Sequence, residues 1–153
     1  MSEGPRVWID ADALPRAVRE VLVKASQKRG VQLIFVANRW QNLPASKRIS
    51  LVVVPAGLDE ADDHIAENCR PGDLVVTTDV PLAARAVEGG ALVLQPHGRL
   101  LDADNVQEHL AIRDLSTELR SGGEMTGGPP PFGTAEKQRF ANGLDRWITA
   151  GRS

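Results

Sequence analysis

Val7-Trp8-Ile9-Asp10-Ala11-Asp12-Ala13 is the stretch on which the reading of this chain turns. A short apolar run ends in two carboxylates one residue apart, and a helical pattern begins at once. In an α/β chain a buried strand delivers acidic side chains to the rim of a sheet in this way. Arg6 to Ile9 form the first strand on this reading, and Asp10 closes it. From Leu14 to Lys28, apolar residues at Ala17, Val18, Val21, Leu22 and Ala25 make one helical stripe, with Pro15 in the first turn and Gly30 at the end.

The same alternation continues outward. Leu33 to Ala37 reads as a buried strand, and residues 38–48 as a polar, basic loop carrying Trp40. Leu51 to Val54 is an apolar, β-branched strand of the kind buried on both faces of a parallel sheet. A helix over 58–69, a strand over 74–77, a short helix over 81–88 stopped by Gly89-Gly90, and a strand over 91–94 follow. Strands separated by helices imply βαβ units. The expected fold is therefore α/β, a doubly wound, mostly parallel five-stranded sheet of order 3-2-1-4-5. Beyond Gln95-Pro96-His97-Gly98 the pattern predicts helices over 104–120 and 134–149, separated by a stiff Gly/Pro loop at 126–131. The last helix aligns Phe140, Leu144, Trp147 and Ile148. One domain over 1–153 is expected, with an α/β core at 1–98 and a helical appendage at 99–153.

The 153 residues carry 42% hydrophobic and 25% charged side chains, ordinary for a globular chain, and a formal charge of −2. No global basic field exists, so a nucleic-acid partner would need local basic patches and cations to neutralise the acids. Cys69 is the single cysteine. It excludes an intrachain disulfide and a thiolate-rich metal site, and a buried free thiol in a reducing compartment is expected. No apolar run reaches the roughly 20 residues that span a bilayer. With no signal-peptide pattern, a cytoplasmic protein away from membranes is expected.

The acids divide by position. Aspartate is a favoured helix N-cap, and Asp12, Asp59 and Asp79 each precede a helix, so capping alone accounts for all three. Asp10 has no such role, since it ends a strand two residues before the cap. Asp62 lies one turn into its helix, on one face with Asp59; the positive end of the helix dipole is its ordinary explanation. In order 3-2-1-4-5 the first and fourth strands are neighbours, and the crossover direction reverses between them. Ligands bind in that crevice, where Asp10, Asp12 and Asp79 emerge. Carboxylates so close repel unless they share protons or a cation, and a hard cation, Mg²⁺ or Mn²⁺, suits oxygen ligands. Such a site can activate water against a phosphodiester.

Several stretches resemble one bacterial family, the YaiI/YqxD-type proteins: the opening motif, Val36-Ala37-Asn38, Gly57-Leu58-Asp59-Glu60-Ala61-Asp62, and Gly72 to Ala83 with its Thr77-Thr78-Asp79. The likeness continues through Pro96-His97-Gly98, Arg113-Asp114 and Leu119-Arg120 to Thr126-Gly127-Gly128-Pro129, nearly the whole chain. Leu14 stands where the family motif commonly has Cys, and His97 where it commonly has Arg. The resemblance implies a fold similar to PIN-like nuclease domains. By position it implies acidic motifs at Asp10 and Asp12, at Asp59 and Asp62, and at Asp79.

The leading expectation is a Mg²⁺- or Mn²⁺-dependent nuclease acting on nucleic acid, RNA before DNA. Asp10, Asp62 and Asp79 would bind metal and carry catalysis, with Asp12 and Asp59 assisting. Arg39, Trp40, Lys47 and Arg48 are candidates for gripping and stacking on the strand, although a solvated loop with Trp40 folded onto the protein explains them as well. Asn38 could hold metal-bound water or satisfy a turn, and Thr77 and Thr78 could donate to phosphate or serve as strand residues. Two alternatives remain. Asp10-Ala11-Asp12 also resembles the nucleophile and acid of a haloacid-dehalogenase-like phosphatase, and a non-catalytic metal- or RNA-binding module would keep the same acids.

Overall fold

The computed structural model describes residues 5–12, 14–57, 59–112 and 133–151. The strands are β1 (Arg6–Asp10), β2 (Gln32–Ala37), β3 (Ile49–Val53), β4 (Leu74–Val76), β5 (Leu92–Leu94) and β6 (Leu100–Leu101). The helices are α1 (Arg16–Arg29), α2 (Glu60–Asn68), α3 (Val80–Glu88), α4, described over residues 106–112, and α5 (Thr134–Gly151). They form one sheet of order β3-β2-β1-β4-β5-β6. The first five strands pair in parallel, with Trp8 of β1 set between Ile34 of β2 and Val75 of β4.

The expected order 3-2-1-4-5 is present, and a sixth strand extends it. β6 runs antiparallel to β5, pairing Leu101 with Val93 and Leu100 with Leu94. The turn between them is built on Gly98 at φ 103°, where a Cβ would collide with that of Arg139. Two residues of strand leave no periodicity to read, so the sequence pattern passes over β6.

Alternation along each strand divides the core in two. Val7, Ile9, Leu33, Phe35 and Val76 face α1 and α5, whose Val18, Leu22, Phe140, Leu144 and Ile148 are buried against them. Trp8, Ile34, Val36, Val75 and Val93 face the other way, onto Ala61 and Ile65 of α2, Leu82 and Ala86 of α3, and Val106 of α4. Strands covered on both sides read as unbroken apolar runs, which is why β1, β2 and β4 are legible from composition.

Three expectations change in detail. α1 begins at Arg16, because Pro15 stays extended (ψ 142°) at the N-cap. β3 starts two residues earlier than expected and is an edge strand, with Ser50 and Val53 exposed, so its apolar run is only half covered. Cys69 is free and half-buried rather than buried, and desolvation, then the Asp73 charge, push its thiol pKa up. Residues 113–132 lie outside the described residues, and with them the second half of the helix expected over 104–120 and the loop at 126–131. No helix among the described residues is long and apolar enough to cross a membrane.

At the amino end of the sheet, the buried Asp73 carboxylate accepts from the Arg6 and Arg70 backbone N–H groups and from Trp8 Nε1 at 2.9–3.0 Å. A buried carboxylate is tolerated when its lone pairs are filled in this way. These bonds lock the start of β1 to the start of β4. The register they fix decides what meets at the other end of the two strands.

Candidate active site at the carboxyl ends of β1 and β4

β1 and β4 are neighbours although β2 and β3 intervene in sequence, so the crossover direction reverses between them. Asp10 ends β1 on the same side as Trp8, the side covered by α2 and α3. Thr77 follows β4 and is 2% exposed. Its hydroxyl donates to Asp10 Oδ2 at 2.9 Å and accepts the Asp79 N–H at 3.0 Å. One hydroxyl thus ties the two strand ends together, and it is not available to a phosphate. Thr78, beside it, is exposed.

α2 brings the remaining acids. Asp62 sits in its first turn, and its pKa is raised from 3.8 to about 6. Burial is the largest cause, followed by the charges of Asp79, Asp10 and Asp59 and a hydrogen bond shared with the Asp79 side chain. Asp10 is raised too, first by burial and then, against the lowering effect of Thr77, by Asp12 and Asp79. The five acids chosen from the sequence therefore form one electrostatic network. Asp63 lies outside it, in an exposed ion pair with Arg85 at 2.7 Å.

The capping explanation holds for one of its three candidates. Asp79 Oδ1 accepts the Leu82 N–H at 2.8 Å, which is a true N-cap of α3. Asp59 stands at the N-cap position of α2, but no side-chain cap bond forms. It is also the one non-glycine with positive φ among the described residues, at 67°, a conformation tolerated by Asp and often found at functional sites. Asp12 does not cap α1. Its carboxylate turns to the next strand end and accepts the Asn38 N–H at 3.0 and 3.1 Å.

Asn38 contributes a second feature. Its Oδ1 is buried and has no hydrogen-bond partner, an uncommon state for a buried acceptor. Arg39 and Trp40 follow it at the same rim, and Trp40 is 72% exposed rather than folded onto the protein. Lys47 and Arg48 are elsewhere. The Leu33 N–H donates to Arg48 O at 2.7 Å, so both residues stand at the amino end of the sheet, beside the start of β2. The loop over 38–48 crosses the full height of the sheet and separates its two basic pairs. Proximity in sequence gave no sign of this.

Sequence reasoning missed Arg19 and Gln41 and did not single out Thr77 as a positioning group. Arg19 donates to Gln41 Oε1 at 2.8 Å, and Gln41 Nε2 donates to Ala11 O at 3.3 Å. Together they pin the 38–48 loop to the segment between Asp10 and Asp12. No local motif marks such a contact between residues 22 apart.

The donor chemistry suits a hard divalent cation: carboxylates that repel one another, and an orphaned amide oxygen nearby. The spacing is not that of a closed cage. Among the described residues no three Asp, Glu, His or Cys side chains are grouped closely enough to hold a metal ion together. Mg²⁺ commonly takes one or two carboxylates and keeps several waters, which this open arrangement accommodates.

A family model described as "Uncharacterized BCR, YaiI/YqxD family" matches residues 8–150, spanning the acidic motifs. The chain belongs to the YaiI/YqxD family. It is similar to the UPF0178 protein of Pseudomonas fluorescens strain Pf0-1, with 49% identity over 144 residues, 94% of this chain and 95% of that one. It is equally similar, at 49%, to the UPF0178 proteins of Pseudomonas entomophila strain L48, covering 94% and 96% of the two chains, and of Saccharophagus degradans, covering 95% and 97%. No solved structure gives a significant match.

Proposed function

We propose that this protein is a divalent-metal-dependent phosphodiesterase of PIN-like type, acting on nucleic acid, RNA in preference to DNA. The observation that carries the reading is the convergence of Asp10, Asp62 and Asp79 on the β1–β4 crevice, where Thr77 ties the strand ends together and burial first, then the neighbouring carboxylates, raise Asp62 to about 6. Acids with perturbed pKa values at the crevice where ligands bind in open α/β sheets are candidates for a functional site.

Asp10, Asp62 and Asp79 would share Mg²⁺ or Mn²⁺, one or two of them directly and the rest through its waters, with Asp12 and Asp59 also acting through water. A cation bound there supplies Lewis-acid polarisation of a phosphate and lowers the pKa of a water. Thr77 keeps the Asp10 carboxylate in one rotamer, and the Asn38 N–H does the same for Asp12. Asp59, which is exposed, would accept a proton from an entering water. Arg39 would contact the backbone of a strand and Trp40 would stack on a base.

Calorimetric titration with Mn²⁺, followed by incubation with labelled RNA and DNA, tests the proposal. Saturable Mn²⁺ binding and RNA cleavage that both vanish in Asp10→Asn are expected. Binding that survives the substitution unchanged would remove the site. Mn²⁺ binding with no cleavage of any strand would leave the binding module, and inhibition by beryllium fluoride would favour the phosphatase.

A further inference from the structure

A second concavity lies away from the acids, between α5 and the β5–β6 hairpin. It encloses about 460 Å³, within the range of small-ligand pockets. Arg139, Asn142 and Arg146 line one wall at i, i+3 and i+7 of α5, with Trp147 beside them, and Leu92 and Leu100 lie opposite. Two close approaches shape it. A Cβ on Gly143 would come within 2.9 Å of Leu94 Cδ1, and one on Gly98 would meet Arg139. Glycine at both positions lets the helix and the hairpin turn pack tightly on either side of the cleft.

Its charge is one-sided. Among the described residues no carboxylate lines it, in a chain whose net charge is −2. Arg139 is held by Glu136 at 3.1 Å and donates to His97 O at 3.4 Å, which fixes its direction. Arg146 is exposed and has no ion pair among the described residues. The positive potential is felt by His97, whose pKa is lowered first by burial and then by Arg99 and Arg139. A cleft with two guanidiniums, a side-chain amide, an indole and apolar walls matches a ligand with a flat ring at one end and a dianion at the other.

We propose that the cleft between α5 and the β5–β6 hairpin binds a nucleoside phosphate, with Arg139 and Arg146 on the phosphate and Trp147, Leu92 and Leu100 against the base. Asn142 contributes its amide to the sugar or the base edge. A free mononucleotide and the phosphorylated end of a strand carry the same chemistry. The site is independent of the carboxylate cluster: it lies on the α1/α5 face of the sheet, whereas Asp10 and Asp62 lie on the α2/α3 face.

Calorimetry with adenosine 5′-monophosphate, adenosine, and a 5′-phosphorylated tetranucleotide tests it. The monophosphate, or the tetranucleotide if the natural ligand is a strand end, is expected to bind at least tenfold tighter than adenosine. Arg146→Ala should weaken that binding at least tenfold, Arg146→Lys should recover part of it, and Asp10→Asn should leave it unchanged. The His97 imidazole, followed by NMR, should titrate at higher pH when the phosphate is bound. Failure of both phosphorylated probes to bind, equal binding of adenosine, or indifference to Arg146→Ala would each overturn the proposal. Because Arg146 is exposed, the fold is not at stake in its variants.

Discussion

Thr77 Oγ1 lies 2.9 Å from Asp10 Oδ2 and spans the seam between the two strands where the winding of the sheet reverses. The same oxygen accepts the Asp79 N–H, so a single buried hydroxyl sets the positions of two of the acids. Thr77→Val keeps the shape and removes both bonds, leaving a part-buried carboxylate without its donor. Loss of such a bond costs about 2 kcal/mol, or a fall of roughly 4–8 °C in Tm for a chain of this size. Thr77→Ser should restore most of it. The Thr77 bond is the one influence that lowers the Asp10 pKa, so carboxyl NMR should find it higher still in the valine variant. A valine variant with unchanged melting and an unchanged Asp10 titration would remove the hydroxyl from the site.

Much of this architecture was legible in the sequence, and the reasons are local. Val7-Trp8-Ile9 and Leu74-Val75-Val76 are apolar throughout because both faces are covered, and their acids follow directly. The order of strands then brings Asp10 and Asp79 together with no further information. What the sequence withheld depends on side-chain direction and on loops. Asp12 and Asp59 look like caps, yet neither side chain caps a helix. Lys47 and Arg48 look like neighbours of Arg39, but a loop without periodicity carries them to the far end of the sheet. Thr77 reads as a strand residue, because its bond to a residue 67 positions away has no sequence signature.

Asp62 should make stability depend on pH in an unusual direction. In the unfolded chain it ionises near its ordinary value of 3.8, and in the folded chain at about 6. Between those values the folded state keeps a proton that the unfolded state has released. Stability therefore falls as pH rises through this window, and the penalty is complete above about pH 6. The full shift would be worth about 3 kcal/mol, and the partial exposure of the group screens this to about 1 kcal/mol. Asp62→Asn should melt roughly 2–4 °C above the parent at pH 8 and coincide with it near pH 3.5. Millimolar Mn²⁺ should narrow the gap at pH 8 by raising the parent alone. Identical melting curves at pH 8 would mean that Asp62 is neither desolvated nor repelled as argued.

Asp79 has two roles that can be separated. As the N-cap of α3 it accepts the Leu82 N–H, and as a carboxylate it faces Asp62. Asp79→Ala loses both, with a capping loss of about 1 kcal/mol. Asp79→Asn keeps an acceptor for the cap and removes the charge. The asparagine variant should therefore melt within about 1 °C of the parent and bring the Asp62 pKa down toward 3.8, while its Mn²⁺ affinity falls at least tenfold. Parent-like Mn²⁺ binding by Asp79→Asn would reduce this residue to a cap.

The division of the 38–48 loop gives the sharpest test of where a strand would lie. Arg39 and Trp40 follow Asn38, whose N–H is held by Asp12, so they stand at the carboxylate rim. Arg48 pairs with Leu33 at the start of β2, five strand residues away, or roughly 16 Å at the usual rise. A phosphodiester held at Asp10 brings neighbouring nucleotides within reach of the first pair and not the second. Trp40→Ala should weaken binding of a short single-stranded RNA by about 1–3 kcal/mol, and Arg39→Ala should reduce its salt dependence by about one phosphate contact. The double variant Lys47→Ala/Arg48→Ala should bind an oligonucleotide of six residues as the parent does. Fluorescence anisotropy across a salt series distinguishes these outcomes. Equal losses from the two basic pairs would mean that the strand runs along the height of the sheet and not across its carboxylate rim.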